Sequence, residues 1–271
     1  MNPDPDKNTP ATIIYIPHGG GPMPLLDETS YRDMNRFLRD FPQTINKPDT
    51  IIVISAHWEE PVVSITSGRN LPIIYDYSGF PPAAYELQYP APGKPELAEQ
   101  VHTLLSQQQI PAKLDAQRGF DHGLYIPLML MYPEADIPCI QISLADSLDA
   151  EFHIRIGQAL AELKNQNLLI IGSGFSFHNM QALMQGSPDR FDAKNEAFEQ
   201  WLAQTCSADN FTLAEREHRL VNWQQAPHAR YCHPREEHLL PLHVCFGLAA
   251  SQAKTIFQQP VINFIASAYQ W

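Results

Sequence analysis

The sequence predicts a single α/β domain with a mostly parallel central sheet flanked by helices. Three observations predict it. The strand candidates are short and uniformly apolar, as strands buried on both faces must be. Helical segments separate them, which is the alternation of a parallel sheet. No repeat or linker divides the chain, so 11–271 reads as one domain behind a flexible N-terminal tail, 1–10.

Thr12 to Ile16 is short and β-branched, a buried strand that stops at Pro17 and a Gly-rich turn. Glu28 to Phe41 has helical spacing. Thr50 to Ser55 reads as a second central strand and Val62 to Thr66 as a third. Tyr75 to Pro92, rich in Pro, Gly and aromatics, is predicted to be a long ordered loop that walls a site. Pro95 to Gln108 is a helix with Pro in its first turn. Ala112 to Leu114 is a short strand, Tyr125 to Tyr132 a helix, Ile137 to Ser143 a strand and Ala150 to Lys164 an amphipathic helix. Asn167 to Gly172 is a strand running into a Gly/Ser turn. Phe191 to Cys206, Leu213 to Trp223 and Glu236 to Ala250 read as helices, and Val261 to Ala266 as a last strand.

Composition narrows the function. The 271 residues are 44% hydrophobic, enough for a sizeable core in one domain. The formal net charge is −12, which repels phosphate backbones and anionic membranes, so neither nucleic acid nor membrane is an expected partner. The polar, Pro-rich start has no basic-then-apolar leader, and no apolar run is long enough to span a bilayer. Cys139, Cys206, Cys232 and Cys245 are scattered, with no C-x-x-C pair, which suits reduced thiols in a cytoplasm.

The histidines carry the chemistry. Ile13 to Ile16 leads to His18, Ile51 to Ser55 leads to His57, and Leu168 to Ile171 leads through Gly172-Ser173-Gly174 to His178. Ligands of parallel sheets bind beyond the carboxyl ends of the strands, so these three should converge. Neutral imidazole is the commonest metal ligand among side chains. His238, in P-R-E-E-H-L-L-P-L, and His122, in R-G-F-D-H-G, are further candidates. His102, His153 and His218 lie on polar helical stretches and read as solvated surface residues, while His228, His233 and His243 stay open. Spacing alone points to a metal site and to no particular reaction.

The motifs H-G-G-G-P-M, S-A-H-W-E, Y-D-Y-S-G-F-P, Y-P-A-P-G, G-F-D-H-G, P-x-A-D-I-P, G-S-G-x-x-x-H-N and E-H-L-L-P-L occur in that order from His18 to Leu242. Together they resemble the class III extradiol ring-cleavage dioxygenases, in the branch related to 4,5-DOPA dioxygenase. The resemblance implies a metal held by His18, His57 and His238. It implies that His178 is an acid/base at the metal, able to ligate zinc itself, and that His122 is a second-sphere histidine facing the substrate. The implied cofactor is Zn2+ as often bound, or Fe2+ for ring cleavage. The implied partners are a catechol such as DOPA and dioxygen, which give a semialdehyde. Oligomeric state is left open.

Founding members of the wider class use two histidines and one carboxylate. Here Glu237 adjoins His238, and neighbours on a helix point about 100° apart, so His238 is the expected ligand and Glu237 an outer or surface group. An all-histidine site favours zinc. Two other readings stand beside the dioxygenase: a non-catalytic binding protein on the same fold, and a zinc hydrolase using Glu59, Glu60 or Glu237 as base. The pair His122 and His178 disfavours the first, since pure binding needs no acid/base groups. A DOPA carboxylate would need a cation, for which Arg118, Arg230 and Arg235 lie near the site motifs.

Overall fold

The structure, a computed structural model, describes residues 9–185 and 192–271. Residues 1–8 of the expected tail, and Phe191 at the start of one expected helix, lie outside them. One eight-stranded sheet runs through the molecule in the order β4-β3-β5-β2-β6-β1-β8-β7. Its strands are β1 (Thr12–Pro17), β2 (Thr50–Glu60), β3 (Val63–Thr66), β4 (Ala112–Asp115), β5 (Cys139–Ala145), β6 (Leu168–Gly174), β7 (Lys254–Val261) and β8 (Phe264–Gln270). The central four, β5-β2-β6-β1, are parallel neighbours, and β3 and β8 join them antiparallel. The sheet is thus mostly parallel, as the apolar strands predict. Ile51–Ile54, Cys139–Leu144 and Leu168–Ile171 are buried throughout, because helices cover both faces of these strands.

The helices are α1 (Met23–Leu26), α2 (Arg32–Asp40), α3 (Pro95–Gln107), α4 (His122–Met131), α5 (Ala150–Ala159), α6 (Met180–Gln185), α7 (Ala193–Ser207), α8 (Leu213–Val221), α9 (Ala229–Cys232) and α10 (Leu240–Ala249). None of the described helices is long and apolar enough to cross a membrane.

Four differences from the sequence reading have physical causes. The single last strand expected at Val261 to Ala266 is the middle of a hairpin: Ile262, at φ 61°, turns the chain between β7 and β8. The apolar run continues through that turn and hides it. The helix expected from Glu236 begins instead at Leu240, because Pro241 fits only its first turn, so Glu237 and His238 sit in the preceding turn. β2 runs on to Glu60 past a register shift between Ile54 and Glu59. That bulge holds His57 and re-aims it, as bulges near sites do. The helix expected from Tyr125 begins at His122, capped by Asp121, whose side chain accepts from the Gly123 N–H.

One buried group makes stability depend on pH. Glu199 of α7 packs against β8, where the Ser267 hydroxyl donates to it at 2.5 Å. Burial raises its pKa from 4.5 to about 7, against the hydrogen bonds from Ser176 and Ser267 that lower it. A raised carboxyl stabilises the fold fully below 4.5 and loses that contribution as pH rises through about 7. Glu199→Gln is therefore expected to stabilise the fold at pH 8 by up to about 3 kcal/mol, read as a higher melting temperature, and to change little at pH 4. An equal effect at both pH values would exclude an ionising Glu199.

Candidate metal centre

His18 leaves the end of β1, with its backbone N–H donating to the Gly174 carbonyl of β6 at 3.1 Å. Its Nδ1 lies 3.0 Å from the Ser173 hydroxyl. That hydroxyl spends its own proton on the Gly123 carbonyl, so it accepts from Nδ1–H and the His18 Nε2 keeps a free lone pair. His238 is held by its carbonyl, which accepts from the Tyr15 hydroxyl at 2.8 Å and the Phe175 N–H at 3.1 Å. A Cβ on Gly174 would lie 2.1 Å from that carbonyl oxygen, so only glycine permits the approach. The His238 Nδ1 faces Glu237 Oε1 at 3.0 Å, which again leaves Nε2 free. In the bulge of β2, the His57 N–H donates to the Ser55 hydroxyl at 3.1 Å.

Three Nε2 atoms consequently meet. That of His57 is 2.9 Å from His18 Nε2 and 3.2 Å from His238 Nε2. Nitrogens about 2.0–2.2 Å from one ion, at 90–110° to each other, stand roughly 2.8–3.6 Å apart. The trio therefore fits a metal. Burial is the main cause that holds all three imidazoles well below their ordinary pKa, with neighbouring histidines adding to it. They are neutral at pH 7, the state a ligand needs.

Two carboxylates grip two more imidazoles beside this trio. His178 stacks on His238, ring centres 3.3 Å apart, and its Nδ1 is also 3.0 Å from Glu237 Oε1. Burial opposes ionisation of Glu237, but the His178 contact and the Arg235 charge bring its pKa below the ordinary value. Glu237 is set by a turn rather than by a helix face, and with His178 and His238 it forms a second group whose atoms could hold an ion. His122 lies against His57 with ring centres 3.8 Å apart and planes tilted by 43°, and its Nδ1 lies 2.8 Å from Asp76 Oδ2.

His57, His122, His178 and His238 open into a cavity of about 470 Å³, walled by Tyr77 and Phe80 of the long loop, Phe175, and Met180, Leu183 and Met184 of α6. A larger surface groove between α2 and β7 contains none of these histidines.

Other sequence expectations fare differently. Arg118, Arg230 and Arg235 do not line the cavity. Each is already neutralised: Arg118 by Asp121 at 3.1 Å, Arg230 by Glu236 at 2.5 Å, and Arg235 by Glu59 and Glu237. His153, expected at the surface, is buried. It accepts from the Ala145 N–H and bonds the Asp149 carbonyl, and burial lowers its pKa to about 4. His218 is exposed and His102 half-buried against the Ala112 carbonyl. His228 is exposed, while His233 and His243 are buried and bond backbone carbonyls. Asp76 and Ser173 escape sequence reasoning as orienting groups. Their only signal is membership of the Y-D-Y-S-G-F-P and G-S-G-x-x-x-H-N motifs.

The chain shares 39% identity over 250 residues with a 4,5-DOPA dioxygenase extradiol of Beta vulgaris, covering 89% of this chain and 88% of that one. It shares 37% over 261 residues with the dioxygenase tasH of Hapsidospora irregularis, covering 90% and 80%. A 4,5-DOPA dioxygenase extradiol of Escherichia coli K12 is 32% identical over 242 residues, covering 89% and 86%. Among solved structures, the uncharacterized protein JW3007 of Escherichia coli K12 superposes with a TM-score of 0.76 at 27% identity, over 96% of this chain and 98% of that one. Residues 10–266 match the catalytic LigB subunit of aromatic ring-opening dioxygenase. A histidine cluster able to hold a metal, at the edge of a sheet of this topology and in a chain so matched, makes this protein a member of the LigB family and an extradiol aromatic ring-opening dioxygenase.

Proposed function

We propose that this enzyme opens a one-ring catechol such as DOPA beside its diol, with both atoms of dioxygen entering a semialdehyde product. The observation that carries the reading is the convergence of the His18, His57 and His238 Nε2 atoms at the wall of a cavity that His178 also lines. Those three residues would hold the metal. Bound there, Fe2+ supplies the means of bringing the electron-rich diol and dioxygen together, with positions left open by only three protein ligands. Zn2+ suits the same all-nitrogen set, with His178 as a fourth neighbour.

The chain's own residues supply proton transfer and exclusion of water. His178 gives its Nδ1–H to Glu237, so its Nε2 lone pair is free to take a hydroxyl proton from the catechol. The resulting imidazolium faces the Glu237 carboxylate, which stabilises it, and the same nitrogen can return the proton later. Phe80, Phe175 and the α6 side chains Met180 and Leu183 form an apolar wall that keeps water from the reacting oxygen. The cavity volume suits a single ring with a short substituent. Because the three arginines are paired elsewhere, the carboxylate of DOPA is expected to reach solvent at the mouth.

A hydrolase is disfavoured by what the candidate bases already hold: Glu237 Oε1 serves two imidazoles and its Oε2 faces Arg235, Glu59 is paired with Arg235, and Glu60 with Lys113 and Trp58. The four cysteines are buried and free, which supports a reducing compartment such as the cytoplasm. Loading with Fe2+ under anaerobic conditions, then admitting oxygen, tests the function. The iron form should consume one dioxygen per DOPA and form a coloured semialdehyde, and the zinc form should consume none. Uptake with plain catechol but not DOPA would remove the substrate assignment. No uptake with any catechol would remove the proposal.

A further inference from the structure

The Asp76 carboxylate reaches His122 twice. One oxygen accepts the His122 backbone N–H at 3.1 Å, and the other accepts its Nδ1–H at 2.8 Å. The two groups are 46 residues apart in sequence, so the contact needs a clamp. The loop supplies it: the Ile74 N–H donates to the Phe120 carbonyl at 2.7 Å, and the Phe120 N–H donates to the Pro72 carbonyl at 2.8 Å. The two segments touch closely enough that a Cβ on Gly119 would lie 2.3 Å from the Pro72 oxygen.

Capping does not explain this arrangement. The start of α4 already has its cap in Asp121, which takes the Gly123 N–H. The second Asp76 oxygen serves the ring alone, and the side chain is 19% exposed, so water competes weakly for it. A neutral imidazole that donates from Nδ1 carries its lone pair on Nε2. His122 lines the cavity, so that lone pair is the one a ligand meets. In the neighbouring Glu237–His178 pair a carboxylate oxygen likewise lies against Nδ1, at 3.0 Å. Each pair lies against a different candidate ligand, His122 tilted at 43° against His57 and His178 stacked on His238. A catechol carries two hydroxyls, and two oriented acceptors stand beside the place where it would bind.

We propose that Asp76 is a positioning residue that fixes the His122 ring with Nε2 as a hydrogen-bond acceptor for one catechol hydroxyl, a second histidine–carboxylate pair beside Glu237–His178. The inference rests on the reading of the cavity as a catechol site. Outer partners that orient a working histidine typically matter by about 10–100-fold.

Asp76→Asn is the decisive variant. Its amide oxygen still accepts the backbone N–H and preserves the helix start, while its NH2 faces Nδ1 and favours the opposite tautomer. Nitrogen-15 NMR of the zinc-loaded protein, with the His122 signals assigned by their absence in His122→Gln, should show a protonated Nδ1 in the wild type and a protonated Nε2 in Asp76→Asn. In the iron form, kcat for a catechol should fall about 10–100-fold, with metal content unchanged and KM altered less than kcat. Asp76→Glu should recover part of the loss. An unchanged tautomer, a kcat within twofold of wild type, or a loss matched by loss of metal or melting temperature would overturn the proposal. If the wild type turns over no catechol, the dioxygenase reading falls, and the NMR measurement still decides whether Asp76 orients His122.

Discussion

Replacing His57 by alanine is expected to abolish stoichiometric metal binding. His57 is the middle of the trio, with its Nε2 within 2.9 and 3.2 Å of the other two. Removing it leaves two nitrogens on one side of the ion, in a pocket whose protein ligands are all neutral. Loss of an outer-sphere partner alone costs about 10–100-fold in affinity, and loss of a direct ligand should exceed that. His18→Ala and His238→Ala should behave alike. Metal content after dialysis, and competition with a chelator of known affinity, measure it. A triple variant that still holds one equivalent would show that the ion sits elsewhere. The wild-type site should also keep its metal well into the acid range. Burial holds these imidazoles below 6.5, so protons compete only at lower pH than they would at exposed histidines. Metal release at pH 6.5, like that of a surface pair, would contradict the buried geometry.

His178→Ala should separate binding from chemistry. The residue touches the Glu237 carboxylate and stacks on His238, but its Nε2 is not among the three that converge. Metal content should therefore change little, and Glu237 keeps its contact with the His238 Nδ1. Turnover should fall about 10²–10⁴-fold, the usual contribution of a positioned acid/base. The measurement is kcat by oxygen uptake, referred to metal actually bound. Parallel loss of metal and turnover would make His178 only a ligand. Normal turnover would exclude both roles.

Much of this site is legible in the amino-acid sequence. Three apolar runs each end in a histidine, and a parallel sheet sends such residues to one edge. The position of His57 is legible, but its aim is not, because the bulge between Ile54 and Glu59 depends on how β2 pairs with β5. A helix-face argument puts Glu237 in an outer position, yet no helix is present there. Pro241, two residues past Leu239, carries the signal that the helix starts late. His153 looks solvated because its neighbours in sequence are polar, while the fold buries it where the Ala145 N–H of β5 donates to its ring.

The arginines show the limit most clearly. Nearness in sequence to a site motif says nothing about which carboxylate claims a long flexible cation, and Glu59, Asp121 and Glu236 claim these three. What the sequence determined by itself was local or periodic: the apolar strands, the parallel sheet they require, and the histidines at their ends. What only the tertiary structure decided was the partner of each polar group. The Ser173 hydroxyl sets the nitrogen His18 offers, Glu237 serves two rings at once, and Asp76 crosses to His122. Hydrophobic burial follows from a pattern along the chain. A hydrogen bond needs two atoms within about 3 Å at a set angle, and for residues far apart in sequence only the packed fold brings them there.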